Sequence, residues 1–277
     1  MITHAKGTVE YQETGVGAPV VFVPGSFSTG TSWRNISTPL SKHFRTITTS
    51  LSGYGKTQER RRQGGIHMQD EMDVLEAVLA QVNAPVHLVA HSFGAWVALA
   101  LAMHRKPELL SLTLLEPTAF NLLATAGETA FSGQVRAMKD SYVTAWRSGD
   151  QQAVRQVIDF YGGVGTFDAY PLAIQDKVIT QTLTNILDWD SGYTEFPAQE
   201  DFAAVNVPTL VICGNNSHLA MQRSNQLLVG HLPQAQLMAL EDANHFMIVT
   251  HAAELTQRID QHICAVQIRL QAALQQE

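Results

Sequence analysis

Cysteine is nearly absent: Cys213 and Cys264 are the only two in 277 residues, which excludes a disulfide framework and the paired spacings of a structural zinc site. Charge is sparse as well, at 16% of residues, and leans acidic, with 18 lysines and arginines against 25 aspartates and glutamates. A net charge of −7 leaves no broad basic surface, so nucleic acid is not an expected partner. No apolar run approaches the ~20 residues that cross a bilayer, and a membrane is not expected either. Residues 1–7 carry neither the positive nor the apolar segment of a secretion signal. The expected setting is a reducing cytoplasm and the expected partner a small-molecule substrate, with a homodimer the one protein assembly left open.

What the chain does have is an apolar share of 45% arranged in a rhythm. Short apolar runs at 20–23, 44–49, 86–89, 110–115, 209–213 and 236–240 each end in turn-forming or polar residues. Between them Met68, Met72, Leu75, Val78, Leu79 and Val82 recur at helical spacing, as do Leu255, Ile259 and Ile263. Strands alternating with helices predict an α/β fold, a mostly parallel sheet covered on both faces. In such a sheet sites form at the carboxyl ends of the strands.

The rhythm breaks between Thr118 and about Glu200, where helical segments at 133–148, 151–160 and 172–187 follow one another without a strand. This reads as a helical cap, residues 118–200, inserted between two parts of one core, 1–117 and 201–277. Eleven of the 21 aromatic residues fall in it. Most must pack the insertion onto the core, while some, with Trp146 and Trp189 as candidates, are expected to line an apolar pocket. The run Arg60-Arg61-Arg62 reads as a solvated face, and the glutamine-rich tail after Arg269 as a fraying helix end.

Chemistry concentrates at Ser92. The run 86–89 passes straight into Ala90-His91-Ser92-Phe93-Gly94 and then into an apolar helical stretch from Ala95 to Ala102. A strand, a sharp turn carrying serine and a helix force the serine into a strained conformation and require small residues two before and two after it. Ala90 and Gly94 meet that need. The Ser92 hydroxyl then stands at a helix N-terminus, where the Phe93 amide and the helix dipole can hold an oxyanion. A serine nucleophile also needs a base. Of eleven histidines, His245 is placed for it, in the loop 241–247 after the last apolar run. His91, beside the serine, is expected to buttress the turn.

The chain resembles the α/β-hydrolase superfamily over nearly its whole length. The resemblance rests on Val20 to Gly25, Gly53-Tyr54-Gly55, the serine turn, Val207-Pro208-Thr209 to Gly214 and Asn244-His245-Phe246, all in the family's order. It implies that His245, last in the chain order serine, acid, histidine, is the base, and that the Ser26 amide, after Pro24-Gly25, joins Phe93 in the oxyanion hole. Phe27, Phe93 and Phe246 would make the floor apolar. Departures are informative: where many members carry Gly-x-x-Asp, this chain has Gly214-Asn215-Asn216-Ser217, with no carboxylate. Some members place the acid one strand earlier, which points to Glu116 in Leu114-Leu115-Glu116-Pro117. An acid closing an apolar strand also needs a partner. Asp242 and Glu241 are the alternatives, and Ser217→Ala is expected to be nearly silent.

The implied activity is two-step acyl transfer on an ester or lactone of a medium-sized apolar or aromatic compound. It requires no metal and no organic cofactor. Serine in place of aspartate disfavours an ester-linked route to epoxides or haloalkanes. The same superfamily also includes cofactor-free oxygenases, C–C bond hydrolases, acyltransferases and silent ligand binders, which the motifs alone leave open.

Overall fold

A computed structural model describes the chain except for residues 5–6, 62–66, 194–196 and 276–277. Arg62, Ile66 and Phe196 therefore lie outside the described residues. A short antiparallel pair, β1 (Ile2–His4) and β2 (Gly7–Val9), precedes a seven-stranded sheet. Its strands are β3 (Gln12–Thr14), β4 (Pro19–Val23), β5 (Arg45–Thr48), β6 (Val86–His91), β7 (Leu109–Leu115), β8 (Thr209–Gly214) and β9 (Ala235–Leu240), in the spatial order β3-β5-β4-β6-β7-β8-β9. All pairings are parallel except that of β3 with β5. The three strands β1, β2 and β3 have no counterpart in the apolar runs, because each is only three residues long and β3 is exposed throughout.

β4, β6 and β8 are buried at every residue, as strands covered on both faces must be. Successive side chains go to opposite faces: Val21 and Val23 join the core shared with α2 (Met68–Val82) and α3 (Ser92–His104), while Val20 and Phe22 join Trp33, Ile36 and Leu40. Ile36 and Leu40 belong to α1 (Arg34–Leu40), which packs on the long C-terminal helix through Leu255, Ile259 and Ile263, all fully buried. Burying each of these three is worth about 1.5–3 kcal/mol over leaving it in water. That helix runs on to Leu274, with no glycine or proline after Arg269 to end it sooner.

Between β7 and β8 the described residues form seven helices and no strand: α4 (Asn121–Thr125), α5 (Thr129–Arg147), α6 (Arg155–Gly162), α7 (Thr166–Ala169), α8 (Leu172–Thr180), α9 (Thr182–Tyr193) and α10 (Gln199–Ala203). The expected helix 172–187 is two, broken at Gln181. Val135, Tyr142, Val154, Val157, Phe167 and Val178 anchor a third apolar cluster, mostly from this insertion and joined by Ala220 and Met221 of the core. The chain closes with α11 (Leu219–His231), α12 (Met247–Thr250) and α13 (Ala252–Leu274). Among the described residues no helix is long and apolar enough to cross a membrane.

α3 and β4 meet at Gly94. A Cβ there would sit 2.2 Å from the Pro24 carbonyl oxygen and 2.9 Å from its carbon, and backbone cannot retreat. Gly133, inside α5, has nothing within 4 Å of its missing Cβ. Gly94→Ala should therefore lose about 1–3 kcal/mol or more, and Gly133→Ala should gain roughly 0.5–1 kcal/mol through better helix propensity. Chemical denaturation of the two variants beside the parent checks both signs.

Candidate active site

Strand register assembles the site. Val23 pairs with Ala90, His91 with Leu115, and Leu115 with Ile212, so β4, β6, β7 and β8 bring their carboxyl ends to the same edge of the sheet. Ser92 and Glu116 follow β6 and β7 at once, Gly25 comes two residues after β4, and Gly214 is the last residue of β8. The first approach is close enough to exclude any side chain at Gly25, whose Cβ would lie 2.7 Å from Ser92 Cβ. Backbone strain gathers here. Phe27 (φ 59°), Ser92 (φ 56°), Glu116 (φ 45°) and Asp242 (φ 53°) all adopt the left-handed region after a sheet strand. Each costs on the order of 1–3 kcal/mol and persists only where the surroundings over-determine it.

Three side chains meet in a line. His245 Nε2 lies 2.8 Å from Ser92 Oγ, and His245 Nδ1 lies 2.6 Å from Glu116 Oε2. A carboxylate only accepts, so Nδ1 carries the proton and Nε2 is left to accept from the serine hydroxyl. Glu116 is fully buried, yet amply partnered. Its Oε1 accepts from the Gly214 amide at 2.8 Å, the Ser217 hydroxyl at 2.5 Å and the Cys213 thiol at 3.3 Å. Burial pushes its pKa up, but the hydrogen bond and charge of His245, with Ser217 and Gly214, outweigh that and hold it below the ordinary carboxylate range. Glu241 instead accepts from Asn215 Nδ2 at 2.5 Å, and Asp242 is exposed; neither reaches the His245 ring. Ser217 stands where an acid was sought and holds the acid of the neighbouring strand, so the expectation that its hydroxyl is dispensable does not fit the contacts.

Other groups fix the imidazole. His91 Nε2 donates to the His245 carbonyl at 2.9 Å, and the two rings stand 4.8 Å apart. Burial, with His245 nearby, pushes the His91 pKa down to about 3, so it is a neutral strut. Tyr161, from α6, stacks on the His245 ring at 4.2 Å and 16°.

Ser92 and His245 open on a cavity whose floor includes Ser26, Phe27, Phe93 and Phe246. The insertion supplies the opposite wall, with Ile158, Tyr161, Asn185, Asp188, Trp189 and Tyr193. Phe93 lies in the first turn of α3, so its amide has no acceptor within the helix. Ser26, the other expected donor, lines the same cavity, but its hydroxyl is committed to Asp188 at 2.5 Å. Trp189 lies where the expectation put it. Trp146 does not: one helical turn after the buried Tyr142 on α5, it packs against the insertion's apolar cluster and is not among the residues lining the cavity.

Arg61 corrects the reading of the arginine run. It is 4% exposed and ion-paired with Glu59, Glu71 and Asp188. Asp188 was not singled out in the sequence, although an acid within Ile186-Leu187-Asp188-Trp189, on a helix whose neighbouring residues are buried, carries the same signal that marked Glu116.

A parallel sheet with helices on both faces and a serine at a strained strand-to-helix turn define the α/β-hydrolase fold. The chain belongs to the alpha/beta hydrolase family, whose model matches residues 20–258. One relative, a probable lysophospholipase of Arabidopsis thaliana, is 33% identical over 110 residues, 37% of this chain but only 23% of that protein. A cis-3-alkyl-4-alkyloxetan-2-one decarboxylase of Shewanella oneidensis is 22% identical over 91% of this chain and 83% of its own length. Among solved structures, a thermophilic esterase from Thermogutta terrifontis superposes with a TM-score of 0.72 at 21% identity, covering 96% of this chain and 97% of that one.

Acid should expose the electrostatics of the site. His91, depressed to about 3, contributes stability that is full above the ordinary histidine value of ~6.5 and is lost as pH falls below it. Glu116, also depressed, contributes stability that is lost as pH falls through its folded value. Unfolding free energy should thus decline steadily below about pH 6.5. Ser217→Ala, by removing one donor to a buried carboxylate, should cost about 1–3 kcal/mol at neutral pH and move the carboxylate part of the decline to higher pH. Denaturant melts across pH 3–8 measure both; a Ser217→Ala curve matching the parent would contradict this account.

Proposed function

We propose that this protein is a serine hydrolase that cleaves an uncharged carboxylic ester or lactone of medium size, apolar or aromatic in character, through an acyl-serine intermediate. The observation that carries the reading is the unbroken line from Ser92 through His245 to a buried, hydrogen-bonded Glu116, opening on an aromatic cavity. Ser92 Oγ attacks the carbonyl carbon as His245 Nε2 takes its proton, and Glu116 stabilises the imidazolium. The negative oxygen rests on the Phe93 and Ser26 amides. His245 then passes the proton to the leaving oxygen as the acyl C–O bond breaks. Water repeats the attack with His245 as base, and the acid departs from Ser92. Every proton is carried by His245, so the cycle calls for no cofactor. The insertion, residues 118–200, acts as the cap that keeps bulk water from the intermediate.

The lining supports a neutral substrate. No lysine or arginine is among the described residues around the cavity, and a free carboxylate on the substrate would be buried without a cationic partner. The names of the Arabidopsis and Thermogutta proteins describe ester-cleaving enzymes and support the ester reading. The Shewanella name describes a decarboxylase acting on a four-membered lactone, which makes small lactones worth including in any panel.

A fluorophosphonate probe should label the parent at Ser92, and neutral aryl and alkyl esters should be hydrolysed in preference to matched half-esters bearing a free carboxylate. Ser92→Ala should lose labelling and on the order of a millionfold in turnover. Substantial hydrolysis by purified Ser92→Ala would sink the acyl-serine route, and preference for the charged half-esters would sink the neutral-substrate assignment.

A further inference from the structure

Asp188 is the single acidic residue among the described lining of the cavity, and it comes from the insertion, on α9. At 2% exposure its carboxylate is held entirely by core residues. Oδ2 accepts from Ser26 Oγ at 2.5 Å and from the Tyr54 hydroxyl at 2.6 Å, while Oδ1 accepts from Arg61 Nη1 at 2.5 Å. The Tyr54 hydroxyl also meets the backbone of Phe27. One carboxylate therefore grips Ser26 of the loop after β4 directly and holds the Tyr54 hydroxyl that faces the next residue, Phe27. That loop needs gripping, since Phe27 is an aromatic residue held at φ 59°, a conformation that relaxes unless its surroundings enforce it.

A bare carboxylate beside the place where a negative oxygen forms would oppose the reaction. Arg61 answers this. It is fully buried at its side chain, pairs with Asp188, Glu71 and Glu59, and donates to the Ser52 carbonyl at 3.1 Å, so Asp188 meets the loop as one member of a cluster built on a shared guanidinium and not as a lone charge.

We propose that Asp188 is a positioning residue for the oxyanion hole, reaching from the insertion to hold the Ser26–Phe27 segment so that the Ser26 amide faces the Ser92 hydroxyl. The inference rests on the acyl-serine reading. It makes the hole complete only when α9 is seated on the core, and so ties the cap to transition-state stabilisation as well as to substrate shape.

The test uses Asp188→Asn, Ser26→Ala and the double variant, with a neutral aryl ester as substrate and a trifluoromethyl ketone as transition-state mimic. Misplacing one donor of an oxyanion hole should lower kcat about 10- to 100-fold with KM held within about twofold. Ketone affinity and the rate of fluorophosphonate labelling should fall by the same factor as kcat. Ser26→Ala, which leaves the Asp188–Arg61 pair intact, should move the same readouts in the same direction, and the double variant should be no worse than Asp188→Asn within about threefold. Simple electrostatics forecasts the opposite sign, because neutralising a carboxylate near a developing anion should speed the reaction. If Asp188→Asn fails to fold, Ser26→Ala decides. Unchanged kcat in folded variants, a rise in KM alone, or losses that multiply in the double variant would overturn the clamp while leaving the hydrolase reading standing. A parent that neither labels nor hydrolyses any ester would overturn both.

Discussion

Four neighbouring parallel strands bring their carboxyl ends to one edge of the sheet, and the geometry of the candidate site hangs on that register. With Val23 beside Ala90, His91 beside Leu115 and Leu115 beside Ile212, the turns after β4, β6 and β7 and the end of β8 are gathered side by side. A one-residue slip would send the facing side chains of a strand to the wrong side of the sheet. The buried apolar runs of β4, β6 and β8 forbid that, since each slipped strand would have to re-pack a complete core face. Site geometry is in this sense a by-product of core packing in the strands that lead into the site.

The same packing stores the strain. Ser92 and Glu116 both sit in the left-handed region, and neither is glycine. Ser92 is pinned by Gly25 and by Gly94 against Pro24, contacts that permit no side chain. Glu116 is pinned differently, by four donors converging on its carboxylate. One position is held by sterics and the other by hydrogen bonding.

The parts legible in the sequence were those governed by short-range rules. Apolar runs marked the six longest strands, and helical spacing placed α2 and the buried face of α13, because burial on a repeating element imposes a period. The serine turn was legible because its neighbours must be small. The edge strands β1 to β3 were not, being too short and too exposed to carry a pattern. Contacts that join distant segments were harder. Arg61 and Asp188 lie 127 positions apart, and nothing local distinguishes a buried arginine in a charged run from a solvated one. Trp146 illustrates the converse: aromatic content located a packed insertion, but not which ring turns to the cavity and which to the insertion's own core.

The placement of Glu116 shows how the local pattern could mislead while the hydrogen-bonded line to His245 stays intact. β7 and β8 are adjacent, so a carboxylate at the end of either can reach one ring nitrogen of a histidine in the loop after β9. Moving the charge to Glu116 leaves the end of β8 free to serve another purpose. Gly214 and Ser217 then turn an amide and a hydroxyl toward that carboxylate, which lets a fully buried charge stay ionised. An acid at position 217 would have faced Glu116 at close range and driven one of the two to take up a proton. The absence of a carboxylate from residues 214–217 and the presence of one at 116 are therefore two sides of a single electrostatic constraint.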